Sequence, residues 1–229
     1  MSAVVERREQ FCEQTTELTH GSITQEDWAA LRRTLFDVHE AFCSLPRPGL
    51  IVEVGTLGGR TTRGIFEVLN RLRWDVPDVV TIDTDKRCLG DAVFNQCHGF
   101  KNSLRTFHGR STDWKPVEPI WWAFVDGCHC HECVLADLMH LSRHVPVDGV
   151  ICLHDAGDQR SLEMLVHERY HGCDGVSRLY GVTSAIDEWL GCFDDFTWEQ
   201  LECVKAQERP RGSPTPLFGG VQAFRRKRP

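Results

Sequence analysis

Apolar residues fall at helical spacing near the start of this chain and in short unbroken runs after residue 49. Trp28, Leu31, Leu35, Val38 and Phe42 recur every three or four positions, which predicts an amphipathic helix that must pack on something. Thr24, followed by Gln25, Glu26 and Asp27, reads as its capped start, with acids against the positive end. Pro46 and Pro48 end it. The charged stretch before it, to about Ser22, carries no comparable pattern. From Leu50 the chain alternates. Strands are predicted at Leu50 to Val54, Val79 to Ile82, Ser103 to Phe107, Ile120 to Val125 and Gly149 to Leu153. A helix over Thr61 to about Leu72 turns Ile65, Val68 and Leu69 inward. A helix or loop follows the second strand. Another helix, His131 to His144, carries Val134, Leu138 and Leu141 on one face. A helix around Ala185 to Leu190 and a strand near Phe196 to Val204 precede the last segment, Phe218 to Arg226, which alternates as a strand should.

Strands that alternate with helices imply an α/β fold: a Rossmann-like doubly wound sheet with right-handed crossovers, preceded by the N-terminal helix. The sheet is expected to be mostly parallel with an antiparallel last strand, and ligands should collect at the carboxyl ends of its strands. The 229 residues suit one such domain with a decorated end. A net charge of −7 gives no reason to expect nucleic-acid or membrane affinity. The start has no apolar signal-peptide core and no segment is long enough to span a bilayer, so a cytoplasmic protein is expected. In that compartment the 11 cysteines read as reduced thiols, mostly small core fillers. The closing Arg225-Arg-Lys-Arg228 run reads most simply as a solvated tail. An apolar face on the first helix is compatible with a homodimer.

Two features carry chemistry. In Glu53-Val-Gly-Thr-Leu-Gly-Gly-Arg-Thr61 the glycines allow a sharp turn and a close backbone approach to a ligand, and a helix start follows that would face it with unpaired amides. Second, Glu53, Asp83, Asp126 and Asp155 each stand at or beside a strand end, so the topology would bring four acids to one crevice. A carboxylate at the second strand tip suits the two hydroxyls of a ribose; Asp83 fits, and Asp85 could share the part.

These blocks, with Val125-Asp-Gly-Cys-His-Cys-His-Glu132 and Asp148-Gly-Val-Ile-Cys-Leu-His-Asp155, make the chain resemble the class I S-adenosylmethionine-dependent methyltransferases. Within them it is similar to the small-molecule O-methyltransferases of the macrocin, mycinamicin and cephalosporin-hydroxylase-related group. The resemblance runs from about Leu50 to the final strand. It implies residues 50–229 as a cofactor-binding methyltransferase domain behind a helical extension, 1–49. The chain departs from the group at Cys128, Cys130 and Cys133, and at Asp148, where a glycine is usual.

What the resemblance implies can be set against the chemistry of methyl transfer to oxygen. Donor and acceptor must be held in line and a hydroxyl proton removed. Asp126, His154 and Asp155 are implied as ligands of a divalent metal, magnesium or manganese by the hardness of the carboxylates; His154 could equally stand behind the ligands. His129 is implied as the general base, with Asp126 positioning the acceptor. Glu53, Gly55, Thr56, Leu57, Gly59, Arg60 and Thr61 would hold the methionine part of the cofactor and Asp83 its ribose. Arg110, Ser111 and Asp126 complete the expected cofactor contacts, the first two at the adenine. The expected partner is a small hydroxylated acceptor, in part enclosed by residues 158–182 and 209–218. Three other readings compete. The Cys128-to-Cys133 cluster could make a zinc or thiol module, although its residues look too close together to share one ion and would diverge in a turn. A nicotinamide enzyme would want a Gly-x-Gly-x-x-Gly loop, which is absent here. A non-catalytic, cofactor-binding partner subunit is the third.

Overall fold

Apolar runs closed by glycine or proline become the strands of the sheet, and the segments between them coil into helices on its two faces. The computed structural model describes residues 3–13, 23–45, 48–156, 181–193, 197–205, 207–208 and 217–228. Helices α1 (Ala3–Glu13) and α2 (Gln25–Phe42) open the chain. The first was not expected from periodicity. It is held by contacts with the second: Phe11 packs on Phe36 at 5.6 Å, Arg7 meets Glu40 at 2.8 Å and Arg8 meets Asp37 at 3.2 Å.

The start of α2 is a capping box. Thr24 Oγ1 accepts from the Asp27 amide at 3.1 Å while Asp27 Oδ2 accepts from the Thr24 amide at 3.0 Å. Trp28, Leu31, Leu35, Val38 and Phe42 are all buried and share a core cluster with Ile51, Ile65 and Phe124. The apolar face is thus filled within the chain, which removes the reason for expecting a dimer through it.

The sheet contains β1 (Leu50–Val54), β2 (Asp78–Asp83), β3 (Leu104–His108), β4 (Ile120–Val125), β5 (Val150–His154), β6 (Trp198–Cys203) and β9 (Val221–Arg226), in the order β3-β2-β1-β4-β5-β9-β6. The first five run parallel, and β9 lies antiparallel between β5 and β6. Two short strands, β7 (Gln207–Glu208) and β8 (Leu217–Phe218), pair separately. Helices α3 (Arg60–Arg71) and α4 (Asp91–Cys97) follow β1 and β2; α5 (His131–Leu141) and α6 (Gly181–Gly191) belong to the second half. The direction of winding reverses between β1 and β4, so the loops after these strands lie side by side at the switch point.

Alternation along each strand feeds two core layers. Ile51, Trp122, Phe124 and Cys152 face α2 and α3, while Val52, Ala123 and Ile151 face α5 and α6. Each large apolar side chain so enclosed contributes roughly 1.5–3 kcal/mol. A bulge at Trp121 turns its ring into a stack between Phe42 (5.1 Å) and Trp74 (5.5 Å), so the Trp121–Trp122 pair belongs to the core.

Several expectations change here. Arg225 bonds Asp37 at 3.2 Å and Arg226 donates to the Val145 carbonyl at 2.6 Å, so the first half of the basic run is tied to the fold, while Arg228 is solvated, with 83% of its side chain exposed. Of the described cysteines only Cys12, Cys97, Cys130 and Cys152 are buried, so core filling accounts for fewer than half; none forms a disulfide among the described residues. Asp148 has φ +68°, the left-handed turn in which the resemblance expects a glycine. No described helix is long and apolar enough to cross a membrane. Of the segments expected to enclose the acceptor, residues 158–180, with His167, Tyr170 and His171, and 209–216 lie outside the described residues.

Candidate active site

At the β1 tip the backbone takes left-handed φ values at Gly55 (+92°), Gly58 (+84°) and Gly59 (+80°), and Leu57 is also positive at +35°. A Cβ on Gly55 would fall 2.1 Å from the Asp126 carbonyl oxygen, so this glycine lets the loops after β1 and β4 touch. A Cβ on Gly58 would meet nothing within 4 Å; that side of the loop is open. Leu57 is 81% exposed, Arg60 is exposed and Thr61 half-buried, while Thr56 is buried.

Glu53 lies inside β1, fully buried. Thr62 (2.5 Å) and Thr81 (2.8 Å) both donate to its Oε2, and Oε1 has no hydrogen-bond partner. Burial, with the nearby Asp126 and Asp83 charges and against the two threonine bonds, pushes its carboxyl up to about 8. Glu53 is therefore neutral near pH 7.

Asp83, at the end of β2, receives the Thr56 amide on Oδ2 at 2.9 Å and the Asp85 amide on Oδ1 at 2.8 Å. It organises the glycine loop from below and, half-buried, keeps lone pairs for a further donor. Asp85 is engaged by Arg87 at 2.6 Å, so the two acids of this motif have separate tasks. The chain after β3 lies beside the β2 tip, since the Gly109 amide donates to the Asp83 carbonyl at 3.0 Å. Arg110 is exposed there. Ser111 is buried and bonded to Asp137, so it braces α5. Burial pushes that Asp137 carboxyl up to about 6, despite the serine.

The β4 and β5 tips are charged. His154 is fully buried with Nδ1 3.1 Å from Asp126 Oδ1 and 3.5 Å from Asp155 Oδ2, and Nε2 3.5 Å from Asp27 Oδ2. Burial opposes its charge, yet Asp126, with the Asp155 and Asp27 carboxylates close by, raises its pKa well above the ordinary histidine value. Burial likewise opposes the Asp155 carboxylate. The hydrogen bond and charge of His154, His129 and the Gly219 amide nevertheless hold it down at about 2. Asp126 is lowered by His154 and His129 in the same way. His129 Nε2 lies 3.2 Å from Asp155 Oδ2 and 3.9 Å from Asp126 Oδ1. Asp155 sits at φ +51°, which turns its Oδ1 to the Gly219 amide at 2.8 Å.

The expected acids and imidazoles Asp126, His129, His154 and Asp155 thus come together. Asp126, His154 and Asp155 each offer a ligand atom within 4.8 Å of the others. Sequence reasoning missed Asp27. Its spacing marked it as a helix-start acid, but it is fully buried. It bonds the Gly220 amide at 3.0 Å and faces His154, joining α2 to β9 and the site. His131 is drawn away to Ser184 (2.7 Å) and Glu188 (2.9 Å) of α6.

This arrangement is the Rossmann-like methyltransferase fold. Residues 52–156, somewhat under half of the chain, match the family model described as a methyltransferase domain. The sequence has no match among curated proteins. Among solved structures it is similar to an O-methyltransferase from Bacillus cereus in complex with S-adenosylhomocysteine, at 14% identity and TM-score 0.57, covering 99% of this chain and 92% of that one. TomG from Streptomyces achromogenes, an O-methyltransferase of tomaymycin synthesis in complex with S-adenosylmethionine, is 16% identical with TM-score 0.56, covering 99% and 91%. The N-methyltransferase NodS from Bradyrhizobium japonicum, with S-adenosylhomocysteine, is 10% identical with TM-score 0.56, covering 99% and 100%.

Proposed function

We propose that the chain is an S-adenosylmethionine-dependent methyltransferase that transfers methyl to oxygen on a small hydroxylated molecule, with a divalent metal assisting. The observation that carries this reading is the junction at the switch point. An open glycine loop and two acids lie on one side, and the Asp126–His129–His154–Asp155 cluster lies directly against it through Gly55 and Asp126.

The site fits the cofactor. Glu53 Oε1 is a buried oxygen without a partner, which a bridging water would satisfy. The amides and glycines of residues 55–59 would lie beneath the methionine part, with Arg60 and Thr61 at its carboxylate. Asp83 would accept from the ribose, and Arg110 and the chain at Ser111 would border the adenine. When bound, the cofactor supplies an electrophilic methyl on a sulfonium. The chain's own task is to orient the acceptor and take its proton.

The donor set Asp126, His154 and Asp155 suits a hard divalent ion such as magnesium or manganese, which would lower the pKa of a bound hydroxyl. His154 must lose its proton to serve as a ligand. His129, partly exposed above Asp126 and Asp155, is the general base, and Asp155 orients its ring. A base so placed favours a hydroxyl acceptor over an amine, because the hydroxyl must shed its proton as it attacks. Residues 1–49 form the helical extension, through which Asp27 supports the site of the 50–229 domain.

The test is methyl transfer from labelled S-adenosylmethionine to a panel of hydroxylated acceptors, with magnesium or manganese and again with chelator. Transfer that falls with chelator is expected. Transfer only to amines, or equal transfer in both conditions, would remove the oxygen or the metal part of the reading.

A further inference from the structure

Cys128, Cys130 and Cys133 occupy the turn between β4 and α5, in a spacing expected to make their side chains diverge. They converge. One Sγ from each lies within 4.8 Å of the others, and those of Cys128 and Cys130 are 3.4 Å apart. The cause is local. Cys130 is the extended N-cap of α5 (φ −75°, ψ 146°), and Cys133 sits three residues on, over the same side of the first turn. Helix α6 closes the turn from outside: a Cβ on Gly181 would fall 2.0 Å from the His129 carbonyl. The two histidines between the cysteines point elsewhere, His129 to Asp155 and His131 to Ser184 and Glu188, which leaves the thiols grouped.

We propose that Cys128, Cys130 and Cys133 form a second metal site, separate from the carboxylate site, that binds zinc as three thiolates. Tetrahedral zinc with sulfur at about 2.3 Å requires sulfurs about 3.8 Å apart, within the range found here. On binding, each thiol gives its proton to solvent and forms a sulfur–zinc bond. Three protein ligands leave the fourth position to water. The two sites sort ions by hardness: thiolates take the soft ion, Asp126 and Asp155 the hard one. An ion on residues 128, 130 and 133 pins the segment that carries His129.

The test uses the full chain, reduced and stripped of metal. Titration with cadmium alone, a spectroscopic substitute for zinc, should give thiolate-to-metal charge-transfer absorption saturating at one ion per chain. Cys128→Ser and Cys133→Ser, at half-buried positions, should each weaken binding at least about tenfold at unchanged melting temperature. Zinc should protect the half-buried Cys128 and Cys133 from alkylation, mapped by mass spectrometry, while exposed Cys43, Cys192 and Cys203 react as before. That protection needs no variant. Absence of the band, a band unchanged in both variants, or equal alkylation with and without zinc would overturn the site.

Discussion

Glu53 and Asp155 are both acids at strand ends, in neighbouring halves of one sheet, and they hold opposite charge states. Glu53 is enclosed by threonine hydroxyls and apolar side chains and is neutral, with its carboxyl at about 8. Asp155 is partly open to solvent, with 23% of its side chain exposed, and faces two imidazoles, so its carboxyl stays at about 2. The β1–β2 half is a backbone cradle with muted charge. The β4–β5 half concentrates ionised carboxylates around a protonated His154. Position on a strand therefore does not determine what an acid does; burial and the cation beside it do. The first half suits holding a large cofactor by shape and hydrogen bonds, and the second suits proton removal and cation binding.

Substitutions on the two sides should separate along this line. His129→Ala is expected to cut turnover by roughly 10²–10⁴-fold with S-adenosylhomocysteine affinity nearly unchanged. Equal losses in kcat and in calorimetric affinity would show that the two halves are not distinct. Asp27→Ala should destabilise the fold by about 3–5 kcal/mol, because it strips a buried partner from His154 and from two backbone amides. A denaturant midpoint close to wild type would remove Asp27 from the account. On the cofactor side, Asp83→Ala should weaken S-adenosylhomocysteine by roughly 10- to 100-fold, the cost of about 1.5–3 kcal/mol for a charged hydrogen-bond partner.

The last effect is on pH dependence. The Glu53 carboxyl is raised in the folded chain from its ordinary 4.5 to about 8, so between those values the unfolded chain ionises and the folded chain does not. Stability is thus lost as pH rises from about 4.5, and the loss is complete above about 8. Glu53→Gln should flatten the melting temperature across that window; an unchanged slope would mean that Glu53 is ionised in the fold.

Much of this was legible in the chain. The β1 and β4 runs are bounded as expected, since unbroken apolar segments closed by glycine or proline can only be buried strands in an alternating chain. The convergence of Asp126, His154 and Asp155 followed from topology, because parallel strands present their tips on one edge. Helix α1 was not legible, as its partners Asp37 and Glu40 lie some thirty residues away. Asp27 was hidden for the same reason: its Gly220 partner is 193 residues distant, so nothing local distinguishes it from an ordinary capping acid. The grouping of the three thiols depended on backbone angles at Cys130 that spacing does not encode.

The most direct measurement is a calorimetric titration of S-adenosylhomocysteine into the full chain, with magnesium present and again with chelator. Saturable binding in both conditions, lost or sharply weakened in Asp83→Ala and retained in His129→Ala, is the predicted result. No binding to the wild-type chain in either condition would contradict the proposed cofactor and the reading of the glycine loop with it.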